Sequence, residues 1–231
     1  MGFGLRKAGT TVKSGGIMSE DRTIDDLELS ALVSSKICHD IISPVGAIAN
    51  GLEIMDEESD ESMREHAMAL VRKSASTASA KLQFARLAFG AAGSSGAEID
   101  LNDAERVARA VAESDKHTLE WDGPAVTLLK DKVKLLLNLM TIALEALPRG
   151  GAIKVTISGG GDETAFNLRC AGDKARIPEE IANFLNGGAP VNLNAHSIQP
   201  YYTILLAKAV QMPLEITAGE GEVLIKAAAG K

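Results

Sequence analysis

Aromatic residues make up only 3% of the 231-residue chain, and no apolar run in it is long enough to cross a bilayer. The most apolar stretch, Leu135 to Leu147, is broken by Asn138, Thr141 and Glu145, short of the roughly 18 unbroken residues a span requires. Basic residues are not in excess. The formal charge of −7 argues against a nucleic-acid surface, which needs clustered positive charge. The two cysteines, Cys38 and Cys170, fit neither a metal-ligand spacing nor a disulfide framework, and read as free thiols in a reducing cytoplasm. The start of the chain carries Arg6, Lys7 and Lys13 but no apolar signal-peptide core. Residues 1–22 are expected to be a disordered tail, with Met18 as an alternative start. What the chain has in quantity is Ala, Leu and Ile, a composition suited to helix packing.

Residues 23–92 carry a helical period. Thr23-Ile24-Asp25-Asp26 fits a capping box with Thr23 as N-cap. The helix it opens should run to about Met55, roughly 50 Å at about 1.5 Å per residue. Ile37, Ile41, Val45, Ile48, Leu52 and Met55 fall on one stripe of that helix, the seam of a bundle. His39 lies roughly 160° from Ile41 on the wheel, on a small polar face with Ser35, Ser43, Gly46 and Asn50. The acidic run Asp56 to Glu61 reads as a solvated turn. Ser62-Met63-Arg64-Glu65 is a second capping box, opening a helix to about Gly90 with a seam of Ala67, Leu70, Ser74, Ala78, Ala85 and Ala88. A lone hairpin cannot bury both faces, so a homodimeric four-helix bundle is expected. Folding about position 58 sets His39 level with about Ala78, beside the low-bulk run Ser74 to Ala80. That run either permits close helix packing or leaves a groove for a partner helix.

Ala91 to Ala97 is a linker rich in Gly and Ser. Residues 98–231 alternate in period: helices over Asn102–Glu113, Asp131–Ala146, Pro178–Leu185 and Tyr201–Gln211, and strands over Thr118–Trp121, Ile153–Ser158, Thr164–Cys170, Leu214–Thr217 and Glu222–Ala227. Strands joined by Gly-rich hairpins, with helices between, argue a two-layer α/β sandwich.

Neutral imidazole is a nucleophile whose nitrogens can carry a covalent group, although an exposed His on a helix can equally be solvated and idle. His39-Asp40-Ile41-Ile42-Ser43-Pro44-Val45 resembles the H-box of sensor histidine kinases, with an acid after the His and a Pro further on that interrupts the helix ladder. It departs from that pattern at Ile42, where a basic residue is usual, and at Ser43, where Thr or Asn is. The second domain resembles the ATP-binding domain of the same kinases, but without its nucleotide site. Ile142 stands at the Asn that would ligate Mg²⁺ and phosphate, and offers a hard cation no oxygen. Gly172 stands at the adenine-binding Asp, and Lys174 and Arg176 at glycines where the nucleotide needs close backbone approach. Ser197-Ile198-Gln199-Pro200 lacks the last glycine box.

Together these features are similar to the alphaproteobacterial ChpT family of histidine phosphotransferases, from about Leu27 to the C-terminus. The most specific stretches are Cys38 to Pro44 and Leu82 to Ala91; sporulation phosphotransferases share the architecture. The resemblance implies a homodimer whose His39 takes a phosphoryl group from the receiver domain of a hybrid histidine kinase. His39 would pass it to response-regulator receivers, as in cell-cycle control. Asp40 would fix the His39 tautomer, Mg²⁺ would belong to the receiver, and this chain would bind no cofactor. Ser35, Ile42, Ser43, Gly46 and Asn50 would meet the receiver, an apolar contact suiting the exposed Ile42 better than solvent does. His66, His117 and His196 have no supporting context. Two rivals remain: a non-catalytic dimer that binds receivers, and a true ATP-dependent kinase.

Overall fold

A computed structural model describes residues 10–13, 24–90, 96–114, 116–190 and 192–229. Two long antiparallel helices, α1 (Asp26–Glu57) and α2 (Glu61–Ala88), form the N-terminal hairpin. The caps differ from those expected. Asp25, not Thr23, caps α1, its carboxylate accepting from the Glu28 N–H at 2.7 Å; Thr23 lies outside the described residues. Asp60, not Ser62, caps α2 and accepts from the Met63 N–H at 3.0 Å. In each case a charged acceptor faces the positive helix end, an advantage over a hydroxyl two residues away. Glu58 shapes the turn between them by accepting from the N–H groups of Ser59 and Asp60, which lowers its pKa, the Asp60 bond most.

Helix α1 continues without a break through Pro44, which is buried. Gly51 is buried as well. A Cβ there would lie 2.6 Å from Val71 Cγ2 and 3.3 Å from the Ala67 oxygen, so a bare backbone lets the helices approach. This register places the turn bearing His39 beside Lys81, further along α2 than Ala78. Ser74 and Ala78 are buried, as close packing of the helices requires. Leu70, placed in the seam by its spacing, is exposed. On the α1 stripe, Ile37, Ile41, Ile48 and Met55 are half-buried while Val45 and Leu52 remain 49% and 47% exposed.

The C-terminal domain is a two-layer α/β sandwich. Its six-stranded sheet runs in the order β1 (Thr10–Lys13), β7 (Leu214–Gly219), β8 (Glu222–Ala228), β6 (Ala165–Ala171), β5 (Gly151–Ser158), β3 (His117–Asp122). Only the β3–β5 pair is parallel. The strand β1 corrects the expectation of a disordered 1–22 tail: four of those residues pair with the sheet edge and bury Val12. The others, Met18 among them, lie outside the described residues. A ribbon of β2 (Glu98–Asp100) and β4 (Thr127–Leu129) was likewise not legible. Alternate residues of β5, β6 and β8 are buried under the helices, among them Val155, Phe166, Leu168, Val223 and Ile225. The opposite face carries the pairs Lys154–Glu120 and Arg169–Glu222, the period-two pattern of a sheet covered on one side.

Helices α3 (Leu101–Ala112), α4 (Lys130–Glu145), α5 (Glu179–Leu185) and α6 (Ile198–Ala209) make the second layer. The hairpin is mounted on it through the end of α2, where Phe84 and Ala88 enter the domain core. A buried polar clasp fixes the joint. Asn138 Nδ2 donates to the Ala88 carbonyl at 3.1 Å and to that of Lys134 at 2.9 Å. Gln199 Nε2 donates to the Asn138 carbonyl at 2.9 Å and to its Oδ1 at 3.1 Å. The Gln199 Oε1 is left buried without a hydrogen-bond partner, while the amide N–H groups of both residues hold the elements they join in one arrangement.

Candidate functional site

The expected site residues share one side of α1. Ser35, His39, Ile42, Ser43, Gly46 and Asn50 are all exposed, with His39 at 56% and Ile42 at 68%. A Cβ on Gly46 would meet nothing within 4 Å. Asp40, the partner expected for His39, turns partly inward. Its Oδ1 lies 3.6 Å from His39 Nδ1, an ion-pair distance beyond hydrogen-bond reach. Its Oδ2 takes the ammonium of Lys36, one turn earlier, at 2.5 Å. Lys36 therefore anchors the carboxylate while the other oxygen faces the imidazole.

Pro44 explains a third contact. Having no N–H, it cannot bond the carbonyl four residues back, which is that of Asp40. Lys81 of α2 fills the vacancy, its Nζ donating to the Asp40 oxygen at 3.0 Å. The proline thus frees a carbonyl at the His39 turn, and a lysine from the neighbouring helix holds it.

The C-terminal domain borders this turn from two directions. Glu145, at the end of α4, has its pKa raised by burial of its carboxyl; nearby Lys36 lowers it, and Asp40 and Glu180 raise it further. From the turn before α6, His196 sets its ring 4.9 Å from that of His39, centroid to centroid, with the planes at 75°. A small cavity of about 140 Å³ beneath the turn is lined by Lys36, Asp40, Lys81, Thr141 and Gln199. His66 and His117 lie elsewhere, their rings against the carbonyls of Ser62 and Leu147.

The positions that the resemblance would give to a nucleotide are taken up by the fold itself. Ile142 is fully buried in the core. Gly172 approaches the Gly150 carbonyl so closely that a Cβ would lie 2.4 Å from it. Lys174 keeps a left-handed φ of 61°, the backbone of a glycine position under a lysine side chain. The Arg176 N–H is taken by the Ala146 carbonyl at 3.0 Å. Among the described residues no cluster of His, Cys, Asp and Glu could hold a metal ion, and no helix is long and apolar enough to cross a membrane.

A family model, the histidine phosphotransferase C-terminal domain, matches residues 101–222. Over 211 residues the chain is 46% identical to Protein phosphotransferase ChpT of Brucella abortus (strain 2308), covering 91% of this chain and all of that one. The chain belongs to the ChpT-type histidine phosphotransferases. A solved structure of a bacterial phosphotransferase superposes on it with a TM-score of 0.84 at 44% identity, over 90% of this chain and 100% of that one.

Several residues around the His39 turn of this ChpT-type phosphotransferase escaped sequence reasoning. Lys36 could have been found, since a Lys and an Asp four apart on a helix face each other. Lys81 was half legible: Pro44 announces an orphaned carbonyl, but only the hairpin register says what reaches it. Glu145 and His196 had no local signal, because tertiary packing alone brings them to α1.

Proposed function

We propose that this chain relays a phosphoryl group between receiver-domain aspartates through a phosphohistidine at His39. The observation that carries the reading is the acceptor turn itself. It presents an exposed imidazole with a carboxylate 3.6 Å from Nδ1, beside a kinase-like domain whose Mg²⁺-binding Asn position is a buried Ile142. The facing carboxylate favours a proton on Nδ1, leaving Nε2 as the nucleophile. As Nε2 forms its bond to phosphorus, the bond to the receiver's carboxylate breaks and the ring becomes positive. Asp40, anchored by Lys36, stabilises that charge. Phosphoryl transfer asks the protein mainly for position and charge stabilisation, and Mg²⁺ is supplied by the receiver.

The donor is the receiver of a hybrid histidine kinase and the acceptors are response-regulator receivers, in the cytoplasm and with a role in cell-cycle signalling. The receiver docks across Ser35, Ile42, Ser43, Gly46 and Asn50, where open space at Gly46 admits a partner helix. The working form is a homodimer. Val45 and Leu52, and likewise Met63 and Leu70, are exposed apolar pairs one heptad apart, the pattern of an unpartnered bundle seam. The test is to incubate His39→Ala with a phosphorylated receiver and Mg²⁺, and wild type with labelled ATP. Label should pass from receiver to wild type only. Label on His39→Ala at the wild-type level would refute the acceptor; labelling from ATP would favour a kinase. Receiver binding without label on wild type would favour a non-catalytic dimer.

A further inference from the structure

His196 comes from a part of the chain far from His39, yet its ring is the nearest aromatic group to the acceptor, 4.9 Å away and edge-to-face. The turn carrying it is firmly built. Asn194 Oδ1 accepts from the N–H groups of His196 at 2.8 Å and Ser197 at 3.2 Å, and Ser197 Oγ accepts from the Asn194 N–H at 3.0 Å. Ser197 and Ile198 are buried, and Gln199 is clasped to Asn138. The ring itself is exposed, and among the described residues no hydrogen bond engages its nitrogens. It edges His39 without covering it, since His39 stays 56% exposed.

A phosphoryl group on His39 brings negative charge to this place, where the two nearby ammonium groups are each held by Asp40. Lys36 binds the Asp40 carboxylate and Lys81 binds the Asp40 carbonyl. The side chain whose ring lies against that of His39, with its nitrogens unengaged among the described residues, is His196. We propose that His196 is a second residue of the acceptor centre, donating a ring N–H to the phosphoryl oxygens carried by His39 and so prolonging the life of the phosphohistidine. The proposal rests on the reading that His39 is the acceptor. His196 exchanges no proton and no electron pair. It adds one hydrogen bond, charge-assisted by the phosphoryl oxygens. Loss of the group to water passes through a loose transition state in which the bond to phosphorus is largely broken. A donor fitted to the intact phosphohistidine therefore slows that loss.

The experiment uses phosphoramidate, a small phosphoryl donor that needs no receiver, on wild type, His196→Ala, His196→Gln and His39→Ala. Phosphohistidine is followed by its ³¹P resonance and its decay. His196→Ala should label at His39 but lose the group about tenfold faster, the factor one hydrogen bond of ordinary net strength supplies. Its ³¹P resonance should shift. His196→Gln, which keeps an N–H donor of similar reach, should restore most of the lifetime. Wild-type lifetime and resonance in His196→Ala would overturn the proposal while leaving His39 as acceptor. Wild-type labelling of His39→Ala would instead overturn the acceptor reading on which it rests.

Discussion

Removing the ammonium of Lys81 tests the reading of the acceptor turn most directly, because Pro44 and Lys81 make opposite demands on one carbonyl. Lys81→Met keeps the apolar stem and deletes the donor held 3.0 Å from the Asp40 oxygen. Lys81 is half-buried, so the carbonyl is partly shielded from water, and the loss should cost about 1–2 kcal/mol. Pro44→Ala restores a backbone N–H that can take the same carbonyl in the ordinary helical way. It should stabilise α1 by up to about 3 kcal/mol, less whatever packing the buried proline ring supplies. In the Pro44→Ala background Lys81→Met should then cost about 0.5 kcal/mol or less, a coupling of about 1 kcal/mol. Urea unfolding of all four proteins at one fixed concentration measures the cycle, the fixed concentration removing any dimer linkage. An equal cost of Lys81→Met in both backgrounds would show that Lys81 does not serve the carbonyl freed by Pro44. Receiver transfer rates across the same set should fall with Pro44→Ala, because the restored N–H competes with Lys81 for the Asp40 carbonyl beside His39.

Filling the open position with Gly46→Leu should block receiver transfer while leaving the chain as stable or more so, by up to about 1 kcal/mol from helix propensity; full transfer would place the receiver elsewhere. Ile42→Asp should weaken receiver affinity by about 1–3 kcal/mol, measured by calorimetry beside a dimer assay. Millimolar Mg²⁺–ATP should give no saturable heat with wild type, and a micromolar Kd would refute the assignment of Ile142, Gly172, Lys174 and Arg176. The raised pKa of Glu145 means that the folded chain holds its proton more tightly than the unfolded one. Its contribution is full below the ordinary value of 4.5 and is lost as pH rises through the raised value. Glu145→Gln should therefore be slightly more stable than wild type at neutral pH, with no difference in acid; screening on its exposed side keeps the gain small.

Much of the fold was legible because its signals are local. Alternating burial marked β5, β6 and β8, and the Gly-rich hairpins marked their turns. Three- and four-residue spacing marked α1 and α2. The strand β1 was missed because four residues in a Gly-rich stretch carry no period, and only the waiting edge of β7 gives them a place. The caps were misread because Thr23 and Ser62 satisfy a motif, whereas the nearby Asp25 and Asp60 offer charged acceptors. Gly51 and Pro44, the two buried contacts of α1, fell outside the expected stripe for a different reason. Apolar periodicity finds large side chains, and this hairpin closes where side chains are small or missing.

The residues around His39 show how the α/β domain shapes the centre. The domain serves as a mount for the hairpin. Asn138, one turn before Ile142, holds the end of α2 through the Ala88 carbonyl. Gln199 stands where a glycine box is missing and locks onto Asn138. Both are buried, so each is costly to leave unpaired. That joint fixes the angle of the hairpin against α4 and α6, which in turn delivers Glu145 and His196 to the acceptor turn. Gln199→Leu should sever the link to Asn138 without emptying the space. If the mount positions the centre, the variant should transfer from a phosphorylated receiver more slowly at saturation, with the dimer intact. Amide hydrogen exchange should rise at the start of α6 and at the end of α2. An unchanged transfer rate together with faster exchange at both helix ends would show that the clasp stabilises the joint but does not aim the site.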